Sequence, residues 1–203
     1  MRKIDLVILI SGRGSNLQAI IDAVKSGQVS AQIKAVISNV PGVQGLERAK
    51  KHGIPAVVVN HKDYSDKKAY EAQLLKTIDS YSPGLICLAG YMRIVGQEII
   101  KKYKWKIINI HPALLPSFSG LHAQRQAIEA RVKESGCTVH FVDEGCDTGP
   151  IILQKTVPVL PGDTEASLSA RILTEEHKLY PKAIQLISEG RVNIKDRKVI
   201  IKE

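Results

Sequence analysis

The stretch from Ile107 to Gly120 reads Ile-Ile-Asn-Ile-His-Pro-Ala-Leu-Leu-Pro-Ser-Phe-Ser-Gly, and it holds the residues best suited to chemistry, Asn109 and His111. Side chains alternate faces along a strand, so these two share one face while Ile108 and Ile110 take the other. Pro112 cannot donate to a sheet ladder and should end the strand at His111. An amide donor and a titratable imidazole would then stand side by side at the carboxyl end of a strand, where open α/β sheets bind ligands. Taken singly, each is an ordinary turn or surface residue. Together with the proline-rich loop behind them, they mark a site. His111 needs an orienting partner if its charge state is to matter. Asp147, in the glycine-flanked loop Gly145-Cys-Asp-Thr-Gly-Pro150, is the candidate. A carboxylate beside an imidazole favours the imidazolium, and Asn109 with a charged His111 would stabilise an oxyanion developing on a carbonyl. The chain has no nucleophile-elbow serine and no His, Cys or Glu set at metal-ligand spacing, so no metal is expected. Cys146 is the one tempting nucleophile, and by type it reads as a bystander thiol.

A second cluster follows the first apolar run. Ser11-Gly-Arg-Gly-Ser-Asn16 lies between a strand over residues 4–10 and a helix in which Leu17, Ile20, Ile21 and Val24 recur at helical spacing. Gly12, Gly14, Ser15 and Asn16 in this setting turn backbone N–H groups toward an anion. Ser15 or Asn16 is expected to cap the helix and to donate to phosphate oxygens. A dinucleotide fingerprint would have a third glycine where Leu17 stands and an acidic residue near the end of the second strand, which instead reads Ser38-Asn39. The Gly-Lys-Ser/Thr of a Walker loop is also missing. A lone phosphate monoester is the better match.

Strand and helix signals alternate along the chain, which predicts an open, mostly parallel, Rossmann-like α/β sheet with helices on both faces. Further strands are expected at residues 33–38, 54–59, 85–89 and up to His111, with helices near 46–52, 66–81 and 97–103. A helix over 123–132 precedes a β pair, 138–142 and 151–159, that makes the C-terminal portion antiparallel. Thr164 should cap a long helix running to about Ser188, and a hairpin-like segment over 191–201 closes the chain.

The 203 residues match one ordinary domain of about 150 or more residues. Apolar runs are too short to span a bilayer, and Asp5 in the first of them, with no small-residue cleavage site, argues against a signal peptide. Three cysteines without a Cys-x-x-Cys pair fit a reducing cytoplasm. The net charge of +9 suits small anionic ligands. Its lysines are scattered and only 4% of residues are aromatic, so nucleic acid is not expected as a partner. Small-molecule substrates are. Nothing in the sequence specifies an oligomeric state.

Ser11-Gly-x-Gly-Ser-Asn16, Met92-Arg93-Ile94, Asn109-Ile-His-Pro112 with Leu114-Leu-Pro116, Gly120-Leu-His122 and Asp147-x-Gly-Pro150 occur in that order. In these motifs, and along nearly its whole length, the chain resembles the phosphoribosylglycinamide formyltransferases, folate-dependent enzymes of purine synthesis. The resemblance implies a single formyltransferase domain, 1–203. It also implies direct transfer of a formyl group from 10-formyltetrahydrofolate, as co-substrate, to the amine of glycinamide ribonucleotide. By that likeness Asn109, His111 and Asp147 are catalytic, with His111 protonated as general acid. Gly14, Ser15 and Asn16 would hold the phosphate and Glu176 the glycinamide or ribose end. The folate would meet Lys67, Met92, Arg93, Ile94, Val95, Asn109 and His140.

Two positions depart from the pattern. Lys67 stands where the family often has an arginine touching the folate's glutamate tail, which keeps the charge but loses the fork. Ser119 replaces a frequent proline before Gly120. By residue type alone, Met92 and Ile94 read equally as core, His122 and His140 as structural histidines, and Glu176 as a helix-surface charge. A formyltetrahydrofolate hydrolase would share the catalytic trio but deliver water. A transfer-RNA formyltransferase would add a nucleic-acid-binding domain. A non-catalytic phosphate-metabolite or RNA-binding module is the alternative from another class.

Overall fold

In the computed structural model, which describes residues 3–202, the strand β1 (Ile4–Ile10) shows why the fold forms. Leu6 through Ile10 are all fully buried, as expected for a parallel strand covered on both faces. It pairs in parallel with β2 (Ala31–Ser38) on one side and β4 (Leu85–Leu88) on the other, and β2 pairs in parallel with the short β3 (Ala56–Val58). Parallel neighbours need crossover connections, and helices supply them. These are α1 (Ser15–Lys25), α2 (Gln44–Lys51) and α3 (Lys67–Asp79), the last preceded by a single 3-10 turn at His61–Asp63. Tyr70, Leu74 and Ile78 form the buried stripe of α3, and Asp66 caps it by accepting from the Ala69 N–H at 2.8 Å. The helix α4 (Gln97–Lys102) then leads into β5 (Ile107–His111). The strands belong to a seven-stranded sheet in the order β3-β2-β1-β4-β5-β6-β7, mostly parallel with antiparallel pairing at its C-terminal end.

The chain divides into two compact units, Met1–Ile108 and Asn109–Glu203. In the second, α5 (Ala123–Glu129) is followed by β6 (Glu134–Phe141) and β7 (Ile151–Pro158), which pair antiparallel from Glu134–Pro158 to His140–Ile151. The register shifts between Val139 and His140, the kind of irregularity that re-aims a side chain. The long α6 (Glu165–Ser188) buries Leu168, Ile172, Leu179, Tyr180 and Ile184. Thr164 caps it in a reciprocal box with Ser167. A hairpin, β8 (Val192–Lys195) with β9 (Lys198–Ile201), follows. Among the described residues no helix is long and apolar enough to cross a membrane.

The expected elements are present, and the differences lie at their ends. The helix predicted over 123–132 stops at Glu129, because Arg131 takes a left-handed φ of 52° and the Val132 N–H turns back to the Ala127 carbonyl. That frees β6 to begin at Glu134, four residues before its predicted start. Neither Ser15 nor Asn16 caps α1. The N-cap is Gly14, left-handed at φ 69°, with no side-chain cap.

Candidate active site

The cluster predicted around His111 lies wholly in the second unit. Ile107–His111 is strand up to the proline, and Asn109 and His111 close it. The backbone just beyond is locked in place by one buried hydroxyl. Thr138 Oγ1 on β6 donates to the Ala113 carbonyl at 2.6 Å and accepts from the Leu115 N–H at 3.1 Å and from Gln154 Nε2 at 2.9 Å. Gln154 on β7 donates also to the Leu115 carbonyl at 2.8 Å. Neither Thr138 nor Gln154 announced itself in the sequence, since each looks like an ordinary polar strand residue.

Asp147 reaches the same cluster from the loop between β6 and β7. Its backbone is left-handed, φ 56°, a conformation that Asp tolerates better than most residues. The loop is pinned at its base by Asp143, which is buried and accepts from Thr148 Oγ1 at 2.7 Å, the Gly145 N–H at 3.1 Å and Arg197 Nη2 at 2.5 Å. Gly149 lies flush on β6, where any Cβ would collide with the Phe141 carbonyl oxygen. Asp143, Gly149 and Arg197 are further positioning residues that sequence reading missed. Arg197 is 54 residues from Asp143, and no local pattern links the two.

Asp147 therefore stands between two imidazoles. Its Oδ2 accepts from the Gly120 N–H at 2.9 Å and lies 3.4 Å from His111 Nδ1, while Oδ1 lies 3.5 Å from His140 Nε2. Burial pushes this carboxyl up. The hydrogen bonds from His140 and Gly120 and the nearby His111 outweigh that burial and hold it well below the usual carboxylate range. His111 is 4% exposed, and its Nε2–H donates to the Phe118 carbonyl at 2.9 Å. Its Nδ1 thus faces the Asp147 carboxylate and its Nε2 the Phe118 carbonyl. His140 differs. Its Nδ1–H donates to the Phe141 carbonyl at 2.8 Å, and its Nε2 lies within reach of two groups, Asn109 Nδ2 at 3.3 Å and Asp147 Oδ1 at 3.5 Å. The Asn109 amide, the two imidazoles and the Asp147 carboxylate thus stand in one cluster.

Cys146 is exposed, with Sγ 3.7 Å from Asp147 Oδ2. Burial and the adjacent carboxylate push its thiol up, which makes it a poor nucleophile. His122 sits on the surface against Glu165 at 3.3 Å. Glu176 is not the helix-surface charge its type suggested. It is 6% exposed on α6, near Cys137, whose thiol is pushed up to about 12 by burial, then by Glu176 and Glu175.

The glycine loop belongs to the first unit. Gly14 has little room, since a Cβ there would meet Gly45 Cα at 2.8 Å, and the Gly45 N–H donates to the Gly12 carbonyl at 3.1 Å. With no side-chain cap on α1, the Ser15 hydroxyl is not spent on the helix end. The Ser11 hydroxyl donates to Asn39 Oδ1 at 2.5 Å and accepts from the Met92 N–H at 2.8 Å, so one side chain ties the loop to residue 92, just before the bend at Arg93. Met92 and Ile94 are not core: they are 67% and 71% exposed. Val95 is buried, Arg93 is half-buried, and Lys67 Nζ lies 3.5 Å from Glu71 Oε1.

Comparison with known proteins agrees with this arrangement. Residues 4–184 match the family model described as formyl transferase. The phosphoribosylglycinamide formyltransferase of Escherichia coli is 44% identical over 94% of this chain and 90% of its own length. The trifunctional purine biosynthetic protein adenosine-3 of Drosophila melanogaster is 49% identical over 93% of this chain, which spans only 14% of that protein. The crystal structure of glycinamide ribonucleotide transformylase 1 from Symbiobacterium toebii, 48% identical, superposes with a TM-score of 0.98 over all of this chain and 95% of that one.

Two outcomes are expected. Thr138→Val keeps the shape but leaves the Ala113 carbonyl, the Leu115 N–H and Gln154 with fewer partners, and should lower unfolding free energy by about 2 kcal/mol in urea. For Asp147, the folded carboxyl titrates below its unfolded value. Its charge therefore contributes stability that is present above about pH 4 and lost as pH falls toward the folded value. The stability gap between the native protein and Asp147→Asn, measured by urea unfolding, should narrow from pH 7 to pH 3.

Proposed function

Because this chain belongs to the formyl transferase family, we propose that it transfers a formyl group from 10-formyltetrahydrofolate to the amine of glycinamide ribonucleotide, a step of purine synthesis. The observation that carries this reading is the Asp147 carboxylate set between His111 and His140, with the Asn109 amide beside the latter. The alignment with the E. coli enzyme over nearly both lengths supports the choice of substrate.

In this reading the amine adds to the formyl carbon, the carbonyl oxygen becomes an oxyanion, and the adduct collapses by breaking the bond to the folate nitrogen. Asn109 donates an amide hydrogen to that oxygen, and the His111 imidazole stands beside it as the general acid. The proton released by the amine and the one taken up by the departing nitrogen balance, with His111 as the group that holds a proton between them. Asp147 sets a negative charge beside the His111 ring. The Phe118 carbonyl holds the Nε2 proton that His111 would donate, so the turn carrying it has to release that bond when substrate arrives. Gly14, Ser15 and Asn16 take the phosphate through backbone N–H groups and a hydroxyl. Glu176 takes the amine-bearing end. Lys67, Met92, Arg93, Ile94 and Val95, with Asn109 and His140, meet the folate. The family match runs through both units, which supports reading them as one formyltransferase domain. Free cysteines among the described residues fit a reducing cytoplasm.

Purified protein mixed with 10-formyltetrahydrofolate should release tetrahydrofolate only when glycinamide ribonucleotide is added. Release without it would point to a hydrolase, and no release with it would overturn the reading. Asp147→Asn should lower kcat by about 100-fold or more while ribonucleotide affinity stays nearly intact. Cys146→Ser, as a control, should leave turnover unchanged.

A further inference from the structure

Away from the acid–base cluster, the first unit holds an aromatic assembly that no step above uses. Tyr70 on α3 is 3% exposed, and its hydroxyl lies 2.5 Å from that of Tyr91, itself buried. Tyr64 and His61 pack edge-on against the Tyr70 ring, with centroids 5.8 Å and 6.3 Å away. The ring is thus fixed by its hydroxyl and its neighbours, and the Arg93 guanidinium stands over it, Cζ 5.2 Å from the centroid.

Arg93 lies in the bend between Met92 and Ile94, both exposed. Among the described residues it makes no ion pair, whereas Lys67, three residues before Tyr70, has Glu71 beside it at 3.5 Å. Glu71 is held close by Gly96, where any side chain would collide with its carboxylate. A cation without a counter-charge, flanked by two exposed apolar side chains, complements a ligand with an apolar body and an anionic end. A guanidinium over an aromatic face keeps its in-plane N–H edge free for a carboxylate fork, and it has less motion left to lose on binding.

We propose that Tyr70 is a positioning residue for the anionic tail of the folate co-substrate, its ring holding the Arg93 guanidinium at the exposed Met92–Ile94 surface. This rests on the formyl-transfer reading above. The ring does the holding, and the hydroxyl only locks the ring.

The test uses the full chain with two formyl donors, one carrying the glutamate tail and one truncated before it. Tyr70→Leu should raise KM for the tailed donor about tenfold. Its kcat, and its KM for the truncated donor, should stay within about twofold of the native values. Tyr70→Phe should restore the native KM. Equal KM increases for both donors, a fall in kcat alone, or a Phe variant as poor as Leu would each overturn the proposal. Should Tyr70→Leu fail to fold, Arg93→Lys decides, because it keeps the charge and loses the planar stack. An unchanged KM for the tailed donor in that variant overturns the proposal, and a rise confined to that donor supports it. Where the native protein turns over neither donor, direct titration with 5-formyltetrahydrofolate separates the two readings. Binding that weakens in Tyr70→Leu supports the platform while formyl transfer fails, and absence of binding overturns both.

Discussion

One carboxylate held between two imidazoles organises the chemistry of this protein. Asp147 is partly withdrawn from water, and an ionised group in that position costs free energy unless its oxygens are occupied. The Gly120 N–H, His111 and His140 occupy them. In a medium of reduced dielectric each of these contacts is stronger than it would be at the surface, which is why they overcome the burial. The same contacts tie together the end of β5, the turn before α5 and the loop after β6. The charge pattern of the site and its shape are therefore one property.

The supporting structure is built from backbone geometry and buried polar groups. Thr138 uses its one hydroxyl as donor and twice as acceptor, so a loop with few regular hydrogen bonds is fixed against a strand. Asp143 does the equivalent for the Asp147 loop. Rigid strands hold position while the loops between them carry the reactive groups. In the first unit the same logic appears at the glycine loop, where Gly14 and Gly45 approach too closely for side chains and Ser11 joins that loop to residue 92.

The two histidines flanking Asp147 show how role follows from neighbours rather than from residue type. A carbonyl fixes Nδ1–H of His140, and its other nitrogen lies between an amide and the Asp147 carboxylate. His111 meets an acceptor on each side. Identical side chains are thereby given different surroundings by the elements that hold them.

Periodicity and residue type were enough for the alternating architecture, the end of β5 before Pro112, the Thr164 cap and the glycine turn between β1 and α1, because each depends on neighbours within a turn or a strand. Asn109, His111 and Asp147 were also legible as a set, through the motifs they stand in. What needed the folded chain was burial and long-range pairing. Glu176 is inside rather than on the helix surface, and Met92 and Ile94 are outside rather than in the core. His140 meets an amide 31 residues away, and Arg197 anchors a loop 54 residues back. The exposure of a side chain and its distant partner depend on which surfaces the packed elements cover, and a local pattern carries no information about a surface that is made only when residues far apart in the chain come together.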